Sequence, residues 1–253
     1  IYISHRMVEI EEITDRVSVI RDGNYVGTVR TADVEMKEII SMMVGREISA
    51  EARPKTKPVS DEVVLKVENL STRELLHNVN FELRKGEILG FAGLMGAGRT
   101  EVARCLCGAD PRTSGEFYVH GNRVSINNTQ AAVKNGIGYL SEDRKAFGVL
   151  VEQDVRQNSV MANLRAFTTM GIINDAKISR VAEEYSKKLR VKTPSIRQFL
   201  NKLSGGNQQK VVIAKWLIRD SEILIFDEPT RGIDVGAKEE IYALLEELSQ
   251  QGK

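Results

Sequence analysis

Ile88-Leu-Gly-Phe-Ala-Gly93-Leu-Met-Gly96-Ala-Gly98-Arg99-Thr100 reads as an apolar strand, Ile88–Ala92, running into a glycine-rich loop that opens a helix. Glycines let backbone N–H groups converge on one point, and the N-terminus of a helix adds a dipole that favours an anion there. The stretch has the form of a phosphate-binding loop, with the Thr100 hydroxyl placed to hold Mg²⁺. Arg99 stands where that pattern has lysine, and a planar guanidinium does not replace a compact ammonium neutrally in so tight a cradle. Taken alone, the stretch also fits a glycine-rich turn that binds nothing.

The flanks place the loop in an α/β fold. Upstream, Val63–Val67 and Val79–Leu83 alternate as strands, and Lys85-Gly86-Glu87 turns the chain into Ile88. Downstream come a helix from about Thr100 to Cys107, extended segments near 116–126, and a strand over Gly136–Leu140. From about 155 to 200 the character is helical, with Val181, Tyr185 and Leu189 at helical spacing. A helix at 208–218, an uninterrupted apolar strand at 223–226 and a helix at 237–249 follow, the last with Ile241, Leu244, Leu245 and Leu248 on one face. Strands mixed with crossover helices predict a mainly parallel sheet with flanking helices and an inserted helical lobe at about 150–203.

A smaller segment precedes this unit. Residues 1–48 begin with the strand-like Ile1-Tyr2-Ile3 and a helical stretch. Arg16–Ile20 and Tyr25–Val29 then flank Asp22-Gly23-Asn24 as a hairpin, and a helix runs from about Asp33 to Val44. Residues 49–62, with Pro54 and Pro58 and no periodicity, read as a linker to the second domain, 63–253. The chain opens on Ile1 and stops just after an amphipathic helix, which reads as a fragment of a longer polypeptide.

Composition removes several classes of function. Lys+Arg number 36 against Asp+Glu 35, a formal charge of +1, without the basic excess a nucleic-acid binder uses to release counterions. Hydrophobic residues at 42% and charged residues at 28% belong to a folded, soluble protein. The longest stretch without charge, Ile88 to Gly98, is too short to span a bilayer, so a membrane link must come through a partner. Cys105 and Cys107 are the only cysteines, which excludes a disulfide framework and leaves two ordinary semi-buried thiols.

Two further motifs bear on chemistry. Ile223-Leu-Ile-Phe226-Asp227-Glu228 delivers two carboxylates at the C-terminal end of a strand, where α/β sheets build their sites. Asp227 would position Mg²⁺ through water, and Glu228 would polarise an attacking water. A strand ending in a solvated acidic turn is the competing reading. Leu203-Ser204-Gly205-Gly206-Asn207-Gln208-Gln209 sets a Ser N-cap and two glycines ahead of a helix, a second anion-binding terminus. A capped loop explains Ser204 but not the whole string.

With these three motifs together the sequence resembles the ABC-transporter ATPases, whose LSGGQ signature is matched by Leu203–Gln208 and whose Walker A and B motifs are matched by the other two. The spacing from signature to strand separates it from RecA-like and kinase-like P-loop proteins. Gly93–Glu101, Ser141-Glu142-Asp143-Arg144-Lys145 and Asp227–Gly236 narrow the likeness to the second nucleotide-binding domain of tandem ATPase subunits of ribose-, galactose- and xylose-type sugar importers, over essentially the entire chain.

The resemblance implies a P-loop NTPase fold of ABC type with an antiparallel β subdomain. It implies ATP and Mg²⁺ as cofactors, and a peripheral place on the cytoplasmic face of the inner membrane. The implied partners are the other ABC domain of the full-length chain, transmembrane permease subunits and, indirectly, a periplasmic sugar-binding protein; nucleic acid is not among them. Gly93, Leu94, Met95, Gly96, Ala97, Gly98, Arg99, Thr100 and Glu101 would cradle nucleotide, and Ser204, Gly205, Gly206 and Gln208 would complete a site across a head-to-tail pair. Thr100, Asp227 and Glu142 would serve the metal, with Glu142 standing where most such domains have Gln. Glu228 and His5 would be catalytic, His5 as the switch histidine of the preceding domain; by itself it is an ordinary polar residue ending a strand. No aromatic lies between Val63 and Asn80 to stack on adenine. Two functions follow: an ATPase energising monosaccharide import, or a non-hydrolytic ATP-binding module whose signature completes the first domain's site. A soluble ABC ATPase of translation or repair would carry basic arms or long coiled coils, which this sequence lacks. In ABC-type sheets a strand beyond the Walker B helix fills the space between the two motif strands, and residues 1–48 are expected to fill it here, in cis or by exchange, bringing Ile1–His5 beside Gly93–Thr100 and Glu228.

Overall fold

The computed structural model describes residues 7–21, 24–45 and 60–253. Expectations for Ile1–His5, for the Asp22-Gly23 turn and for most of the linker lie outside the described residues. The chain divides into two compact units, residues 1–56 with 232–242, and residues 57–231 with 243–253.

In the first unit α1 (Met7–Ile13) precedes the hairpin of β1 (Arg16–Arg21) and β2 (Asn24–Arg30), and α2 (Met36–Val44) follows. The strands pair antiparallel, Val17 opposite Val29 and Val19 opposite Gly27. Alternation along β1 turns Val17 and Val19 inward, where they meet Ile10 of α1 and Ile39 of α2. A lone hairpin is marginal in water, and these helices supply the apolar cover it needs. Gly45 ends α2 in the left-handed region at φ +80°, its N–H donating to Ser41 O.

The second unit opens with β3 (Val63–Ser71) and β4 (Val79–Arg84), then α3 (Arg99–Leu106), β5 (Ser114–Val119) and β6 (Asn122–Val124). These strands form one antiparallel sheet in the order β4-β3-β5-β6. Beyond α4 (Thr129–Lys134), β7 (Ile137–Leu140) pairs parallel with β10 (Ile223–Phe226), Ile223 opposite Ile137 and Phe226 opposite Leu140. Leu65, Val67, Leu70, Val102, Leu106, Phe117, Ile126, Ile137 and Ile223 build the core between the two sheets and α3. Between β7 and β10 the chain makes the helical lobe: α5 (Val155–Val160), a two-residue-strand hairpin of β8 (Thr168–Thr169) and β9 (Ile172–Ile173), α6 (Asp175–Lys188) and α7 (Gly205–Ile218). Asp154 and Gln157 start α5 with a reciprocal capping box. After β10, α8 runs Val235–Gln250.

The expected strand Ile88–Ala92 is corrected by the structure. It makes no β-ladder, and Ile88 and Phe91 are 59% and 47% exposed. Ladder partners must lie about 4.8 Å apart. Here Leu89 and Phe91, together with Leu224 and Phe226, line a mostly apolar cavity of about 420 Å³. Among the described residues the parallel pairing is β7–β10, and Phe91 is held by an edge-on contact with Phe81, ring centroids 5.0 Å apart.

Candidate functional site

The glycine-rich loop is built by backbone conformation, since its tip has few neighbours. Gly98, at φ +94°, is the N-cap of α3, and a Cβ there would lie 2.7 Å from Leu76 Cδ2. Ala97 N–H donates to Leu94 O at 3.1 Å, closing a turn. Leu94 and Met95 are 87% and 99% exposed, so the tip faces solvent. Arg99, Thr100 and Glu101 form the first turn of α3, where helix amides have no intrahelical acceptor.

The carboxylates sit where the sequence places them. Asp227 N–H donates to Leu140 O, carrying the ladder one residue past β10. The Tyr139 hydroxyl, from the neighbouring strand, donates to Asp227 Oδ2 at 3.0 Å. Burial, with the Asp227 charge beside it, raises the Tyr139 phenol well above its usual range, so it remains a neutral donor. Glu228 takes φ +46°, a left-handed conformation that costs a non-glycine residue about 1–2 kcal/mol. A turn closed by Arg231 N–H to Glu228 O holds it there. Arg99 Nη1 approaches Glu228 Oε1 at 3.3 Å, bringing the loop and the carboxylate strand to one place. Both side chains are over a third exposed, so the pair contributes about 0–1 kcal/mol and gives way readily to a stronger ligand.

A second group of contacts surrounds the turn at 141–148. Glu142 pairs with Arg231. Arg144 donates from Nη1 to Arg231 O at 3.1 Å and from Nε to Gln208 Oε1 at 3.3 Å. The turn is therefore tied both to the segment after Glu228 and to α7. Gln208 faces inward, its amide donating to Leu200 O and Leu203 O, each at 3.0 Å. Lys215 is buried on α7 with Nζ donating to Gly148 O at 2.7 Å, and burial depresses it to about 8. Ser204 is at the N-cap position of α7, but its hydroxyl accepts from Asn207 Nδ2 at 2.9 Å and caps no backbone amide. The buried thiols are pushed up by desolvation, Cys107 to about 12, and stay uncharged.

The structure thus brings Arg99 to Glu228, leaves Asp227 beside Glu228 on a common strand end, and connects Glu142 to that segment through Arg231. It does not bring Ser204–Gly206 to the loop within these contacts, and His5 lies outside the described residues. Sequence reasoning gave no role to Tyr139, nor to Arg144 and Arg231, although the last two lie within the quoted stretches 141–145 and 227–236. Tyr139 carried a faint signal, a polar-tipped residue in the apolar strand Ile137–Leu140 two positions before Ser141-Glu142.

A glycine loop opening α3, a carboxylate pair ending β10 and a glycine-led α7 define the class: the chain belongs to the ABC transporter family, whose pattern matches residues 76–231. Among its relatives, a protein of Burkholderia cenocepacia (strain HI2424) named as a ribose/galactose/methyl galactoside import ATP-binding protein is 56% identical over 254 aligned positions, covering 100% of this chain and 50% of the relative. The Ribose import ATP-binding protein RbsA of Clostridium tetani (strain Massachusetts / E88) is 48% identical over the same span, again 50% of the relative. The chain spans about half the length of the curated relatives it matches. The fold is that of solved ATP-binding cassettes. One, a dimeric post-hydrolysis state bound to ADP and Pi, has TM-score 0.62 and 24% identity over 75% of this chain and 84% of that one. Another, nucleotide-free, has TM-score 0.63 and 19% identity over 75% and 78%.

Proposed function

We propose that the chain is part of an ATP-hydrolysing subunit that energises import of a monosaccharide. The observation that carries the reading is the approach of Arg99 to Glu228, which brings a phosphate-type loop and a strand-end carboxylate to one site. Gly93–Glu101 hold the phosphates, with the Arg99 guanidinium suited to paired contacts with phosphate oxygens. Glu228, freed when Arg99 turns to the phosphates, polarises the attacking water. Thr100 and Asp227, with Glu142 nearby, offer the hard oxygen donors that Mg²⁺ prefers. When bound with ATP, Mg²⁺ neutralises phosphate charge. Ser204, Gly205 and Gly206 complete the site of the other ABC domain, with Gln208 supporting their helix from within, and His5 serves as a switch residue. Partners are permease subunits and, through them, a sugar-binding protein, at the cytoplasmic face of the membrane.

A non-hydrolytic reading, with ATP only locking the domains together, is favoured by the Arg99–Glu228 pair itself, since the guanidinium occupies the carboxylate oxygen that an attacking water would need. Glu228→Gln in the tandem protein, with the first domain's site disabled, separates the two. Loss of about 10²–10⁴-fold in single-turnover hydrolysis with retained binding supports hydrolysis here. Unchanged turnover contradicts it.

A further inference from the structure

We infer that Tyr139 is a positioning residue for Asp227, fixing the carboxylate so that one oxygen is presented to Mg²⁺; this rests on the nucleotide-site reading proposed above. A carboxylate at a strand end can rotate between orientations, and an ion that demands near-octahedral geometry selects only some of them. Tyr139 donates to Oδ2 at 3.0 Å across the two parallel strands, which occupies that oxygen and leaves Oδ1 for the metal. The donor is itself held. Tyr139 stands opposite Ile225 in the ladder, and its carbonyl accepts from Trp216 Nε1 at 2.9 Å. Trp216 in turn packs on Gly138 so closely that a Cβ there would lie 2.9 Å from Trp216 Cδ2. A tyrosine whose backbone is held by its strand and by an indole that itself packs on Gly138 gives the phenol a fixed base. Such supports outside the metal's direct ligands commonly account for about 10–100-fold in metal affinity.

The test uses Tyr139→Phe, which keeps the ring and removes only the hydroxyl. Mn²⁺ binding is followed by electron paramagnetic resonance in the presence of ATP, and ATP binding is measured separately in EDTA. The sole tryptophan, Trp216, reports by its emission whether the strand pair is intact. The expected result is Mn²⁺ affinity lowered about tenfold, with ATP affinity in EDTA and Trp216 emission unchanged. In an Asp227→Asn background the same change should have no further effect. Unaltered Mn²⁺ affinity, or an equal loss in the Asp227→Asn background, overturns the inference. Wild-type protein that shows no ATP-dependent Mn²⁺ binding overturns the site reading beneath it.

Discussion

The two glycine-led helix starts of this molecule are built in opposite ways. Before α3, the loop 93–98 rests on a turn and on positive-φ glycines, with Leu94 and Met95 almost fully exposed. Before α7, the chain enters a helix whose residues from Gln208 to Lys215 are all buried, tied down through Gln208, Lys210 and Lys215. The loop before α3 makes few protein contacts of its own, whereas the body of α7 from Gln208 onward is held by protein. Elements that receive ligands are drawn from the less stable parts of a fold, and elements that present a surface to a partner gain from being fixed in advance.

The largest expected effect concerns the fixed helix. Lys215 sits near 8 against an ordinary value of 10.5, because burial disfavours its charge. Below about pH 8 both the folded and unfolded chains hold the proton, and the cost of burying the charge is fully present. Between pH 8 and 10.5 the unfolded chain binds more protons, so stability rises with pH. Relative to Lys215→Met, wild-type stability should improve by on the order of 3 kcal/mol across that window, read from urea midpoints at successive pH values. A flat difference would mean that the ammonium is solvated and α7 is less fixed than described.

Next comes the open loop. Arg99→Ala removes the charged contact to phosphate and should weaken ATP binding by about 1.5–3 kcal/mol in calorimetry, with little change in melting temperature, because the Glu228 partner is exposed. A large loss of stability without loss of binding would reverse the roles of the two regions. The smallest effect belongs to Ser204→Ala. A helix that loses a working N-cap is destabilised by about 1 kcal/mol. Here the hydroxyl meets Asn207 and no backbone amide, so the change should stay within about 0.5 kcal/mol by chemical denaturation.

The same contrast explains what the sequence disclosed. The strings around Gly93–Thr100, Leu203–Gln209 and Ile223–Glu228 are local: glycine placement, an apolar strand and adjacent carboxylates can be read without knowing their neighbours. The hairpin β1–β2, the separate strands β7 and β10 and the helices α7 and α8 were legible for that reason. Contacts that join distant segments were not. Tyr139 meets Asp227 across 88 positions and Arg144 meets Arg231 across 87, and no spacing rule announces either. Ile88–Ala92 failed differently. Its apolar run predicts a strand correctly only if a neighbour lies within pairing distance, and among the described residues it has no ladder partner. The hairpin β8–β9 within the lobe was lost for a third reason, since two-residue strands leave too little alternation to detect.

If the reading is right, nucleotide organises the open loop before α3 and leaves the buried body of α7 as it is. Hydrogen exchange of backbone amides over 93–106 and over 205–218, with and without Mg-ATP, tests this most directly. Adding Mg-ATP should give strong new protection at Gly96–Thr100, with unchanged, already slow exchange from Gln208 to Ile218. Protection confined to 205–218, with no slowing at Gly96–Thr100, would contradict it.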